Sequence, residues 1–206
     1  MTRIIGKEIR LDRSPVVYRS SLENFANEWR LRSGEWWVDD GWINGRNPGN
    51  FPGMIVSRGD YPGNVLVEFE ARTVLPSTHD INFMWCGSWD DAQNRRDVAY
   101  VMGLQGWWDG KVGFEKSPEY KLMAGTPLFP FTPGQVYHLQ GGSIDGHCFL
   151  FVDGQLVLEV MDPDPIDSQR YAKIGFEAYA SHIQLRNVQV RSLVWDPIDR
   201  HYAPEF

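Results

Sequence analysis

The 206-residue sequence predicts an all-β protein, a sandwich or jelly roll of two antiparallel sheets with one short N-terminal helix. Three observations carry this. Roughly ten to thirteen short apolar or alternating runs are punctuated by Gly, Pro, Asp and Asn. Only one segment shows helical spacing. No alternation of strands with helices and no repeat period occurs, which points to antiparallel sheets. Aromatic residues make up 14% of the chain, which suits a core built from few, large side chains.

The elements follow in order. Around Val16–Tyr18 one edge strand is expected. Ser20 and Glu23 have capping-box spacing, and Leu22, Phe25 and Trp29 recur on one helical face, so this is the helix. Trp36–Val38 and Trp42–Gly45 flank Asp39-Asp40-Gly41 and form a hairpin. The stretch Arg46 to Gly53 (RNPGNFPG) has loop composition, and Met54–Ser57 follows as a short strand. In Val65–Arg72 the odd positions Val65, Val67, Phe69 and Ala71 face one way, and Glu68, Glu70 and Arg72 the other. In Asp80–Cys86, Ile81, Phe83 and Trp85 oppose Asp80, Asn82 and Met84. Tyr100, Met102 and Leu104 alternate with Ala99, Val101 and Gly103, and Val112–Lys116 is the next strand. Pro118 to Gly134 carries four prolines and reads as loop. Gln135–Gln140 is a strand, and His147–Val152 joins Gln155–Val160 through Asp153-Gly154, the strongest hairpin signal. Lys173–Tyr179 and Ile183–Leu193 close the fold, and the tail after Trp195 is polar. One domain spanning 1–206 is expected, with its core over about 29–193.

Composition excludes several functions. A net charge of −7 and a pI near 5.2 argue against nucleic acid and anionic membranes as partners. No apolar run is long enough to span a bilayer. The charged opening residues lack an apolar signal region, so a cytoplasmic location is the expectation. Cys86 and Cys148 sit in apolar strand-like runs and are expected as buried free thiols. Phosphate-loop, dinucleotide, zinc-protease and nucleophile-elbow motifs are all absent. No cofactor and no metal follow from the motifs. Calcium at Asp90-Asp91 or Asp109 would need a ligand loop of recognised spacing, and none occurs.

The stretch Asn82 to Ser117 concentrates the chemistry. It holds Trp85, Trp89, Trp107 and Trp108, the acids Asp90 and Asp91, the pair Arg95-Arg96, and Glu115-Lys116. A pyranose offers an apolar face that stacks on aromatic rings and a rim of hydroxyls that takes bidentate polar partners. Glycosidic cleavage needs two positioned carboxylates. Glu177, in KIGFEAY, stands opposite Ile174 and Phe176 and is the first candidate, with Glu115 and His138 as further acid–base groups. Asn82, Tyr100, Lys116 and Arg58 are candidate ligand-binding residues, and Trp107 or Trp108 would stack on a sugar ring.

Five segments carry a resemblance: GDYPGNVLVEFEAR, INFMW, GFEKSPEYKLMAG, FLFVDGQLVLEVMD and AKIGFEAYASHIQLRNVQVRSL. In order and character they resemble the YesU-type bacterial family of unknown function, in the concanavalin A-like lectin/glucanase superfamily. More distantly they resemble the 3-keto-disaccharide hydrolases. The resemblance runs from about Trp29 to Leu193 and implies a concanavalin A-like jelly roll whose concave sheet binds sugar. The hydrolase relatives place Leu-Gln where this chain has Phe176-Glu177. Their Tyr-Glu-x-Gln strand corresponds to Tyr100-Val101-Met102-Gly103-Leu104-Gln105, which lacks the glutamate. Two functional expectations result: an enzyme of glycoside hydrolase or lyase type acting on a plant-derived or modified oligosaccharide, or a non-catalytic lectin-like domain. Base rates leave room for a homodimer.

Overall fold

The computed structural model describes residues 2–106 and 110–198. The chain begins with Thr2–Ile4 (β1), Lys7–Ile9 (β2) and Val16–Arg19 (β3), then a helical turn at Phe25–Glu28 (α1). Next come Trp29–Leu31 (β4), Glu35–Asp39 (β5) and the long Trp42–Ser57 (β6), followed by Val65–Thr73 (β7) and Ile81–Gly87 (β8). Trp89–Asp90 (β9) and Arg95–Arg96 (β10) make a small hairpin ahead of Ala99–Leu104 (β11), Val112–Ser117 (β12) and Lys121–Thr126 (β13). Tyr137–Ile144 (β14), His147–Val152 (β15), Gln155–Met161 (β16), Lys173–Ser192 (β17) and Trp195–Pro197 (β18) complete the order.

These strands pack as a two-layered antiparallel sandwich. The first layer runs β13-β12-β11-β8, then the first half of β17 beside the end of β6. The second runs β16-β15-β14-β7, then the second half of β17. Strand β17 therefore belongs to both layers. It pairs with β8 through Lys173–Ala178 and with β7 through Ile183–Ser192. The switch occurs at a bulge between Tyr179 and Ser181, where Ala180 has φ 49°.

The core lies between the layers. Phe69 of β7 meets Phe83 of β8 and Phe176 of β17 edge-on, both with ring centroids 5.0 Å apart. Trp85 donates its indole N–H across the layers to the Ser143 hydroxyl at 3.0 Å. Each buried large apolar side chain contributes about 1.5–3 kcal/mol. Cys86 and Cys148 are buried free thiols here, and burial pushes the Cys86 thiol up to about 11.

The two outer faces differ. Strands β1, β2 and β18 lie over the second layer, where Ile4, Ile9, Leu66, Phe149, Phe151 and Leu193 form a satellite core. Among the described residues the first layer carries a small apolar patch, Met54, Val56, Met84, Ala99 and Val101, with Trp89 against it. The polar row beside this patch forms the site.

Four expectations change. The helix is a single turn: Asn24, not Ser20, precedes it without a side-chain cap, and Trp29 already begins β4. Glu28 instead accepts hydrogen bonds from the Tyr18 hydroxyl and the Ser21 backbone N–H. RNPGNFPG is not a loop but the middle of β6. Asn47 replaces ladder bonds there, accepting from the Gly49 N–H at 3.1 Å and donating to the Phe51 carbonyl. The proline-rich stretch from Pro118 to Gly134 contains β13, paired along β12. Beyond Trp195 the tail starts as a strand against β2.

Candidate functional site

Period-two alternation decides which side chains reach the outer face of the first layer. Glu177 on β17 stands opposite Asn82 on β8 and Met54 on β6. Glu115 on β12 stands opposite Val101 on β11. Three strand spacings, about 14 Å, separate β12 from β17. One guanidinium bridges that gap.

Arg96 descends from the β9–β10 hairpin onto the row. Its Nη2 donates to Glu115 Oε1 at 2.8 Å, its Nε to Ser117 Oγ at 2.8 Å, and its Nη1 to Glu177 Oε2. Arg96 is 4% exposed, Glu115 2% and Glu177 6%. Burial would lower the Arg96 pKa, but Glu177 and Glu115 outweigh it and raise it further. The Tyr120 ring centroid lies 5.2 Å from the Arg96 guanidinium carbon.

Asp80 lies behind this row. It is 1% exposed, and its Oδ1 accepts from Asn82 Nδ2 at 2.8 Å. Burial first, and the charge of Glu177 second, push its pKa up to about 8. Asp80 Oδ2 and Asn82 Oδ1 are buried and have no hydrogen-bond partner among the described residues.

Over this row opens a cavity of about 410 Å³, floored by Asn82, Arg96, Val101, Glu115 and Glu177. Phe51, Tyr120 and Tyr179 supply aromatic walls. The middle of β6 brings in Phe51, and Asn50 accepts a 2.6 Å hydrogen bond from the Tyr179 hydroxyl. Of the five guanidinium N–H groups of Arg96, three are used in the bonds above. The floor thus presents spare donors beside carboxylate and amide oxygens, with flat apolar surfaces at its edge.

The other expected residues lie elsewhere. Tyr100 belongs to the interlayer core, where its hydroxyl donates to Asp162 Oδ2 at 2.7 Å and accepts from the Ile166 N–H at 3.0 Å. Lys116, paired with Tyr100 in register, reaches the same Asp162 oxygen at 2.9 Å. Burial alone would raise the Asp162 pKa, yet hydrogen bonds from Lys116 and Tyr100 bring it below the ordinary carboxylate value. His138 sits on the outer face of the second layer, its Nε2 2.9 Å from Glu68 Oε1. Arg58 lines a separate cleft at the far end of β6. Trp107, Trp108 and Asp109 lie outside the described residues. Asp90 accepts from the Ala92 and Gln93 N–H groups, and Asp91 pairs with Arg32, so each has a role in the fold.

The sequence reading missed Arg96, Asp80 and the aromatic walls. Arg96 carried a signal, since it is one of two adjacent arginines in a short polar connection, but nothing local shows that it folds inward.

No family model matches the sequence, and no curated protein matches it. Solved structures do. The carbohydrate-binding module CBM66 from Bacillus subtilis superposes with a TM-score of 0.66 at 17% identity, over 80% of this chain and 96% of the module. A Bacillus subtilis protein of unknown function with a galectin-like fold matches with a TM-score of 0.67 at 16% identity, over 87% of this chain and 96% of that one. The fold is galectin-like. A third match comes from work on endo-acting O-glycanases that human gut microbes use to initiate mucin breakdown. It has a TM-score of 0.62 at 14% identity and covers 87% of this chain and 100% of that one. Identities at this level establish the shared β-sandwich and leave function to the site.

Proposed function

We propose that the protein binds a saccharide in the cavity between the β9–β10 hairpin and the outer face of the first layer. The observation that carries this reading is the Arg96 bridge. A guanidinium held between Glu115 and Glu177 sets donors and acceptors side by side, as neighbouring sugar hydroxyls require. Asn82 adds an unpartnered acceptor. Phe51, Tyr120 and Tyr179 suit the apolar face of a ring. The volume falls in the range of small-ligand pockets and suits one or two sugar residues. The carbohydrate-binding module among the structural matches supports the same ligand class.

Binding without cleavage is the first reading, because each of the two cavity carboxylates is tied to Arg96. Cleavage of a glycosidic bond by a hydrolase or lyase is the second. It is favoured by one observation: burial, with the nearby charge of Glu177, pushes the Asp80 carboxyl up to about 8, and a carboxyl kept protonated near neutral pH is what a glycosidase needs as its general acid.

Calorimetric titration with neutral mono- and disaccharides, with chromatography of the recovered sugar, tests both. Saturable binding that Glu177→Gln weakens at least tenfold, with intact sugar recovered, is the expected result. Sugar consumed over hours by the wild type and preserved by Glu177→Gln establishes the enzymatic reading instead. Absence of binding by every saccharide overturns the proposal.

A further inference from the structure

A second cleft of about 270 Å³ opens on the same outer face, at the far end of the first layer. It lies where β4, the end of β6, the β8–β9 junction and the start of β17 meet. On β17 Lys173 lies four positions before Glu177, about 13 Å along the strand. Arg30, Arg32, Arg58, Arg170 and Lys173 line this cleft, against one acid, Asp91. Such a concentration of cations is conspicuous in a chain of net charge −7.

Ion pairing neutralises only part of it. Arg32 pairs with Asp91 at 2.6 Å, and Lys173 with Asp60 at 3.0 Å. Arg58 spends its Nε on the Ala26 carbonyl at 3.3 Å. Arg30, Arg58 and Arg170 have no carboxylate partner among the described residues, so three positive charges converge without compensation. Arg170 rests on the Tyr171 ring, its guanidinium carbon 5.0 Å from the centroid.

A second observation is independent of charge. Arg32 stacks on Trp89, its guanidinium carbon 4.9 Å from the ring centroid. Both residues line the cleft, and both carry a buried N–H without an acceptor: Nε of Arg32 and Nε1 of Trp89. Buried donors without acceptors are costly, and a ligand rich in acceptor oxygens satisfies them. Guanidinium groups match the geometry of carboxylate, sulfate and phosphate groups in particular.

We infer that this cleft is an oxyanion-binding site, formed by Arg30, Arg32, Arg58, Arg170, Lys173 and the indole N–H of Trp89. The shared face with the sugar cavity makes an acidic or ester-substituted saccharide the source of the oxyanion. That identification rests on the carbohydrate reading, whereas the site itself does not.

The Trp89 indole N–H is a built-in reporter. Its proton–nitrogen resonance, assigned with Trp89→Phe, is followed while sodium sulfate or sodium phosphate replaces chloride at constant ionic strength. A saturable shift is expected. Joint Arg30→Ser and Arg170→Ser substitution, at two exposed positions, weakens it at least tenfold, and Glu177→Gln leaves it in place. No saturable shift with either anion, or an unchanged titration in the double variant, overturns the site. A sulfated or uronate-bearing disaccharide separates the sources. If it binds more tightly than its neutral parent, and loses that advantage in the double variant, the oxyanion belongs to a saccharide. If it binds no better than free sulfate, the saccharide identification fails and a small free oxyanion is the ligand. Sulfate binding without any neutral-sugar binding leaves this site standing while the carbohydrate reading falls.

Discussion

Arg96 and Glu177 are 81 residues apart in the chain and share a charge-assisted hydrogen bond at the floor of the cavity, both almost fully buried. Neither group is at ease there alone. Removing Arg96 takes from Glu115 and Glu177, both almost fully buried, the guanidinium they share. Losing one partner of a buried ion pair typically costs about 3–5 kcal/mol. Arg96→Ala is therefore expected to destabilise the fold by that order in denaturant titration. Arg96→Met with Glu115→Gln and Glu177→Gln, which removes all three charges together, recovers most of the loss but not the saccharide affinity.

Asp80 makes stability depend on pH. Its folded-state pKa of about 8 lies above the ordinary carboxyl value, so between roughly pH 4 and 8 the folded protein holds a proton that the unfolded chain has released. The contribution is fully present below the unfolded pKa and is lost as pH rises through the folded one. The slope is at most about 1.4 kcal/mol per pH unit. Thermal unfolding from pH 5 to 8 should show Tm falling more steeply in the wild type than in Asp80→Asn.

Tyr100 separates support from recognition. Its hydroxyl holds Asp162 and the Ile166 N–H on the core side of β11. Tyr100→Phe should cost about 1–3 kcal/mol in chemical unfolding, because a buried carboxylate and an amide each lose a partner. Saccharide affinity, measured by calorimetry, should stay within about twofold of the wild type.

Gly142 tests the packing of β14 on β7. A Cβ at this position would stand 1.9 Å from the Val65 carbonyl oxygen, which is backbone and cannot swing aside. Gly142→Ala is expected to cost about 1–3 kcal/mol or more by forcing the two strands apart. A free-energy change below about 0.5 kcal/mol in urea titration would contradict this register.

Strand alternation was the legible part of this chain. It put Phe69, Phe83 and Phe176 in the core and Asn82 and Glu177 on the outer face. The Asp-Gly turns were equally readable: Asp40 and Gly41, and Asp153 and Gly154, take the positive φ values that two-residue hairpins require. The same alternation also shows that adjacent Glu115 and Lys116 cannot share a face, and that Tyr100 sides with Met102 and Leu104 in the core. Grouping those residues by chemical type hid this. Arg96 was not legible, because its position depends on a two-residue strand folding back over the sheet, and short connections carry no period. RNPGNFPG misled for a related reason: Asn47 replaces the missing ladder bonds through its side chain, which composition does not display.

Strand β17 has a consequence for the order in which the molecule is made. It is the seam of both layers, and it is translated after every other sandwich strand. Until it emerges from the ribosome, β8 and β7 each lack their central neighbour, and Arg96 and Glu115 wait without Glu177. Closure is thus a late, long-range event of the kind that folds slowly. A nascent chain stalled before Lys173 would leave β7 and β8 each without their β17 partner, making the synthesis of β17 the point at which this protein depends most on chaperones.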